Sequence, residues 1–198
     1  MRNTYHDWLD SVCWVGFMKK EYYGIGLIVA AMWLVFLVNL VLPIDLNRWG
    51  LYPRSVSGIL GIPLMPFLHA NLGHLVGNTI PILVLLFLLI GSRSDGWLIT
   101  GSIVLLSGIL LWIFGRSAMH IGASGLVFGL ASCLIVVGVR ERRLIPVSIA
   151  VFVVLMYGGT MLTGIIPRWR SAVSWDGHAL GLFAGGLVGW WFGKPRIE

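Results

Sequence analysis

Five histidines, the serine of "GASG" and an asparagine one turn after a histidine are the residues whose types and spacing could do chemistry. His69, His74 and Asn78 form one group, in "HANLGHLVGN". Ser124 stands in "HIGASGLVFG" and His178 in "SWDGHALG". A serine hydroxyl is hardly ionised at neutral pH, so it acts as a nucleophile only beside a base, and imidazole is such a base. Acyl transfer also needs hydrogen-bond donors aimed at the developing oxyanion. His74 and Asn78 are i and i+4, hence on one face of a helix. The amides around Ser124 are further donors if a helix begins there, because the first turn has no intrahelical acceptors. These residues make a serine–histidine site only if three distant segments meet.

The elements that must position them are apolar. The chain has 198 residues, 58% hydrophobic and 11% charged, with mean hydropathy +0.90, whereas a soluble domain is about 25% charged. Runs 24–42, 55–92, 96–115, 117–139, 144–167 and 177–193 lack Asp, Glu, Lys and Arg entirely. Since roughly 20 residues cross the hydrocarbon, the expectation is an all-α membrane protein of six spans. They are placed at about 24–42, 71–91, 96–115, 122–139, 145–165 and 177–193. Residues 24–193 then form one membrane domain, preceded by a cytoplasmic or interfacial segment (1–23) and followed by a cytoplasmic tail (194–198). Trp8, Leu9, Val12, Cys13 and Phe17 recur at roughly helical spacing, which suits a short helix on the interface. Acidic Asp7, Asp10 and Glu21, with no cleavage-like site, argue against a cleavable signal. "SVSGILGIPLMPFLHA", broken by Gly58, Gly61, Pro63 and Pro66, is an interfacial loop packed on protein, as irregular backbone at membrane depth requires.

The net charge of +6 follows the membrane rather than a nucleic acid. With a cytoplasmic N-terminus, Arg2, Lys19, Lys20, Arg93, Arg140, Arg142, Arg143, Lys194 and Arg196 lie inside. Only Arg48, Arg54, Arg116, Arg168 and Arg170 lie outside. That asymmetry is the positive-inside tendency. Cys13 and Cys133 give neither a disulfide framework nor metal spacing, and Cys133 reads as small packing matter. No cofactor or metal is expected.

In this topology the second, fourth and sixth spans run from outside to inside, so Ser124, His178, His74 and Asn78 share the outer leaflet. Gly177, Gly181, Gly185, Gly189 and Gly193 recur every four residues. Gly125, Gly129 and Cys133 make a shorter stripe on the fourth span. Such stripes let helix backbones approach closely in lipid, which would bring the hydroxyl towards the imidazole. Phe128, one turn below Ser124, is placed to pack on the His178 ring. Asp176 at i−2 points away from His178 and is read as a helix cap, leaving a Ser–His dyad. Taken singly, each residue has a plainer reading: Ser124 as packing, His178 as a structural hydrogen bonder, His74 and Asn78 as a helix tie, His69 as a loop-fixing bonder and His120 as a loop residue. Convergence of four of them in one leaflet outweighs those readings.

The three motifs together resemble the rhomboid intramembrane serine proteases. The pattern His-x4-His-x3-Asn falls on His69, His74 and Asn78. Gly-x-Ser-Gly falls on Gly122, Ser124 and Gly125, and the glycine-spaced histidine on His178 with Gly181 and Gly185. The resemblance covers about Pro66 to Gly189 and implies a six-span, bacterial-type rhomboid bundle. It implies Ser124 as nucleophile, His178 as general base and acid, an oxyanion hole of His74, Asn78 and the Ser124 amide, and His69 holding the first loop. It further implies transmembrane protein substrates that enter laterally past the fifth span, where Gly158, Gly159 and Gly164 suit a loosely held gate. The setting implied is the cell membrane, with both termini cytoplasmic and the site towards the outer face. Phe128 stands where the family often has Tyr, and the family's Trp-Arg pair in the first loop is absent. A catalytically silent rhomboid-like binder of membrane helices is the alternative. A transporter fits poorly with polar groups in one leaflet only, and a metalloprotease fits poorly with the lack of H-E-x-x-H.

Overall fold

A computed structural model describes residues 4–167 and 174–195, with residues 4–20 as backbone only. The interfacial face expected from Trp8, Leu9, Val12, Cys13 and Phe17, and the residues Arg168 and Arg170, lie outside the described side chains. The described helices are α1 (Thr4–Val41), α2 (Gly61–Leu64), α3 (Leu72–Ser92), α4 (Gly96–Phe114), α5 (Ser124–Glu141), α6 (Leu144–Gly164) and α7 (Trp175–Phe192). No strand occurs among the described residues, only an isolated antiparallel bridge between Leu51 and His120.

Among the described residues, five helices are long and apolar enough to cross a membrane: Glu21–Val41 of α1, then α3, α4, α5 and α6. The sixth, α7, is less apolar because Asp176, His178 and its glycines dilute the hydrocarbon side chains. Its 18 residues still reach about 27 Å at 1.5 Å per residue, close to the ~30 Å hydrocarbon thickness. The chain is thus the expected helical membrane bundle. Buried fractions sort its members: 72% of the α5 span lies inside the protein, against 11% for α1 and 17% for α6. The centre is α5, while α1 and α6 form the rim.

Glycine explains why α7 can lie so close to α5. A methyl group at Gly181 would stand 2.2 Å from the Gly125 carbonyl oxygen, one at Gly185 1.9 Å from that of Gly129, and one at Gly189 2.7 Å from that of Cys133. No side chain fits at these crossings. Among the described residues one side-chain bond joins the pair midway along both helices, Ser132 Oγ donating to the Leu182 carbonyl at 2.7 Å.

The two ends of the bundle are fastened differently. At the end away from Ser124, Arg93 pairs with Asp95 at 2.8 Å and with Glu141, and donates to the Phe192 carbonyl at 3.1 Å. The turn between α3 and α4 and the last turns of α5 and α7 therefore meet on one guanidinium. Arg93 and Glu141 are only 11% and 10% exposed, so the pair is largely shielded from water. The Arg93 charge holds the Asp95 carboxyl below its ordinary range, chiefly through their hydrogen bond. At the other end the loop 42–71 folds into short helical turns. These bury Gly58, Gly61, Ile62 and Met65 while leaving Val56, Ile59 and Leu60 exposed, an amphipathic segment suited to the interface. Arg54 fastens it by donating to the Ile113 carbonyl at 3.0 Å, the Gly115 carbonyl at 2.8 Å and Ser117 Oγ at 3.0 Å. Trp112 Nε1 donates back to the Ser55 carbonyl at 2.8 Å. These bonds hold the first loop without the missing Trp-Arg pair.

Candidate active site

Ser124 is the first residue of α5 and is half-buried. Gly122, two residues earlier, adopts φ +108°, a conformation open to glycine at little steric cost. Its amide donates to the Met65 carbonyl at 2.8 Å, tying the serine segment to the first loop. The neighbours of this glycine are the expected ones. A methyl at Gly122 would lie 2.5 Å from His74 Cε1 and Nε2 and 3.5 Å from Asn78 Nδ2. His74 and Asn78 on α3 thus face the turn that carries Ser124. The start of α3 is set by Asn71, whose side chain accepts from the His74 amide at 2.9 Å.

Asn78 is 4% exposed, and its Nδ2 has no hydrogen-bond partner among the described residues. Buried donors nearly always find acceptors, so this one stands out. His69 is buried against Phe67, with Nδ1 3.3 Å from that carbonyl, and its ring meets His74 edge-on at 5.1 Å. Burial foremost, then the neighbouring His74, lowers the His69 pKa to about 4 despite the Phe67 carbonyl pulling the other way. It is neutral at physiological pH.

His178 lies in the first turn of α7 and is buried. Its ring stacks on Phe128 with centroids 4.2 Å apart and planes within 8°. Its Nδ1 is 3.0 Å from the Gly164 carbonyl oxygen. A carbonyl can only accept, so Nδ1 carries the proton and the neutral ring keeps its lone pair on Nε2. Among the described residues that bond is the ring's only one, and the Ser124 hydroxyl is not bonded to it. The backbones beside them touch: a methyl at Gly125 would sit 3.3 Å from the Gly177 carbonyl oxygen. Ser124, Gly122, Gly125, His74, Asn78, His69, Phe128, His178 and Gly181 are therefore gathered at one end of the bundle.

A model of the rhomboid domain matches residues 57–195 of the sequence. The chain belongs to the rhomboid family. It is 37% identical over 178 residues to an uncharacterized protein of Mycobacterium tuberculosis (strain H37Rv), covering 85% of this chain and 73% of the relative. A protein of Mycobacterium bovis is similar to the same extent. One of Mycobacterium leprae is 34% identical over 177 residues, covering 84% and 69% of the two chains. These relatives' names state no activity.

Three features of this rhomboid differ from the sequence expectation. Gly158 and Gly159 do meet open space or one distant methyl, as a loosely held helix would. Gly164 does not, since a methyl there would come 2.4 Å from Phe128 Cζ and 3.2 Å from His178 Nδ1. That glycine admits the ring stack. Secondly, Asp176 does not cap α7. Ser174 is the cap, its hydroxyl accepting from the Gly177 amide at 3.2 Å. Asp176 instead accepts from the Arg116 amide at 2.8 Å and pairs with the Arg116 guanidinium at 3.2 Å. Serine and aspartate compete for such caps, and a carboxylate this near the hydrocarbon goes to a cation. Thirdly, His120 is no plain loop residue. It is 3% exposed, bridges Leu51 through both backbone groups at 2.8 and 3.0 Å, and places Nδ1 2.7 Å from Ser174 Oγ. Burial foremost lowers its pKa, against the Arg116 carbonyl and Asp176. The one hint in the sequence was a histidine four residues before the serine.

Proposed function

We propose that this rhomboid is an intramembrane serine endopeptidase that cleaves transmembrane segments of other membrane proteins through a Ser124–His178 dyad. The observation that carries the reading is the His178 ring: Gly164 holds the proton on Nδ1 and Phe128 holds the plane, leaving Nε2 as the basic nitrogen. Nε2 takes the Ser124 proton as Oγ attacks the scissile carbonyl. The imidazolium then returns that proton to the leaving amine as the peptide bond breaks. Water next attacks the acyl-serine ester, again through His178, releasing the new carboxylate and restoring the hydroxyl. The oxyanion formed in each step is held by His74, by Asn78 Nδ2 and by the Ser124 amide. Asn78 Nδ2 suits this role because it is buried without an acceptor of its own. Dyad hydrogen bonds are often long in the free enzyme and tighten with substrate bound, which accommodates the unbonded Ser124. His69 steadies the first loop. Substrate helices enter past α6, whose span is only 17% buried in the bundle, in a cell membrane with both termini cytoplasmic and the dyad towards the outer face.

The test is fluorophosphonate labelling of the purified protein, with cleavage of a reporter transmembrane substrate in liposomes. Wild type is expected to label and cleave, and Ser124→Ala and His178→Ala to do neither. Equal labelling of all three removes the dyad. Helix binding without cleavage or labelling would assign the silent binder instead.

A further inference from the structure

We propose that a polar cluster outside the reacting groups, buried His120 and Asp176 with half-buried Arg116 and Ser174, is the positioning device of the dyad, with Asp176 as its anchor. The inference rests on the protease reading. His120 stands four residues before Ser124, and Ser174 four residues before His178. Their side chains meet directly, His120 Nδ1 lying 2.7 Å from Ser174 Oγ. The chain enters each half of the dyad through one member of the same pair.

The protons of the His120 ring and the Ser174 hydroxyl can be placed from their neighbours. His120 Nε2 is 3.1 Å from the Arg116 carbonyl oxygen, which only accepts, so Nε2 carries the proton. Nδ1 is then an acceptor, and the Ser174 hydroxyl donates to it at 2.7 Å rather than to the more distant Asp176 Oδ1 at 3.2 Å. Ser174 Oγ accepts the Gly177 N–H at 3.2 Å, and the Ser174 carbonyl accepts the His178 N–H at 3.0 Å. Ser174 thus sets the helical turn on which His178 rides. Asp176 closes the ring from the same turn, taking the Arg116 N–H at 2.8 Å and a guanidinium N–H at 3.2 Å. Its side chain is 7% exposed, so water competes little for it. The Leu51 bridge to His120 extends the cluster to the first loop.

The rest of the α5–α7 contact cannot do this. A glycine stripe permits close approach but offers no directional bond against sliding or rolling of one helix on the other. The Ser132–Leu182 bond lies farther along both helices. At the end where the chemistry would happen, the polar cluster supplies the direction. Asp176, His120 and Ser174 touch no reacting atom in this account, so they are positioning residues.

The test measures the rate of fluorophosphonate acylation of Ser124 against pH for wild type, Asp176→Ala, Asp176→Asn and His120→Gln. Thermal unfolding is followed in the same detergent, so rates refer to folded protein. Ångström-scale misplacement of a catalytic group slows chemistry by about 10²-fold. Asp176→Ala is therefore expected to lower the high-pH plateau roughly tenfold to a hundredfold while the protein stays folded. Asp176→Asn, which still accepts the Arg116 amide, should recover part of the loss, and His120→Gln should fall between. An unchanged plateau in all three variants overturns the proposal. So does a loss that merely follows the unfolded fraction, or a shifted pH midpoint with an intact plateau, which would make Asp176 a charge effect only. A wild type that labels no better than Ser124→Ala sinks the protease reading itself, and this inference with it.

Discussion

Two neighbouring glycines of α7 offer a matched experiment on the helix contact. At Gly185 an added methyl would stand 1.9 Å from the Gly129 carbonyl oxygen and 2.4 Å from Ser132 Oγ. At Gly186 it would meet no heavy atom within 4 Å. Both sites lie inside the same helix, so Gly→Ala brings the same intrinsic gain of about 0.5–1 kcal/mol. Relieving the clash at Gly185 requires α7 to retreat by roughly 1.5 Å before carbon and oxygen regain contact distance. Overpacking of that kind costs about 1–3 kcal/mol, and the retreat also stretches the Ser132–Leu182 bond, 2.7 Å in the native contact. Gly185→Ala should therefore unfold at lower temperature than wild type in detergent, and Gly186→Ala at equal or higher temperature. Labelling of Ser124 should fall by about 10²-fold in Gly185→Ala if the retreat reaches the first turn of α7. Gly186→Ala should label at the wild-type rate. Indistinguishable melting and labelling of the two variants would refute the packing argument.

Other outcomes follow from the same geometry. Asn78→Ala should lower the turnover of a reporter substrate by about 10²–10³-fold, the usual loss of one oxyanion donor. It should leave the melting temperature nearly unchanged, because Nδ2 has no bond to lose. Glu141→Ala takes one of two carboxylates from Arg93, which keeps Asp95 and the Phe192 carbonyl, in a setting where Arg93 and Glu141 are about nine-tenths buried. The loss should stay below the about 3–5 kcal/mol of a buried charge left with no partner, read as a lower unfolding midpoint in denaturant, with Glu141→Gln milder. His69 sets a pH dependence: its folded pKa is about 4 against 6.5 for the free group. Between those values the unfolded chain binds a proton that the folded chain refuses, so stability is full above 6.5 and falls as pH drops towards 4. Melting curves across that range should show the decline, and His69→Gln should lessen it, leaving the part due to buried His120, whose pKa is lowered in the same direction.

Most of the fold was legible because lipid imposes one simple rule on sequence. Uncharged runs of sufficient length marked α3, α4 and α6 to within about two residues, and the period of four glycines marked the face α7 turns to α5. The gathering of Ser124, His178, His74 and Asn78 was legible too, since motif spacing and span direction placed them at one depth. The polar cluster was not. Arg116 and Asp176 lie sixty positions apart, and nothing in their spacing couples them. Which of Ser174 and Asp176 caps α7 depends on where Arg116 ends up, a tertiary fact. Gly164 looked like looseness because an open glycine and a glycine pressed by a ring are the same letter. The Arg93–Glu141 pair escaped for a related reason: both sit beyond the uncharged runs, where a charge is ordinarily solvated.

The Arg93 junction has a mechanical consequence for the whole molecule. It bolts the far ends of four spans, α3, α4, α5 and α7, to one another, and α6 is not among them. Stiffness is thus unevenly distributed, greatest at the base and least along an outer stave held mainly by its flank on α5. A force applied by an incoming guest in the bilayer would be absorbed as a lean of that stave about its own foot, leaving the floor and the central pair of helices at rest.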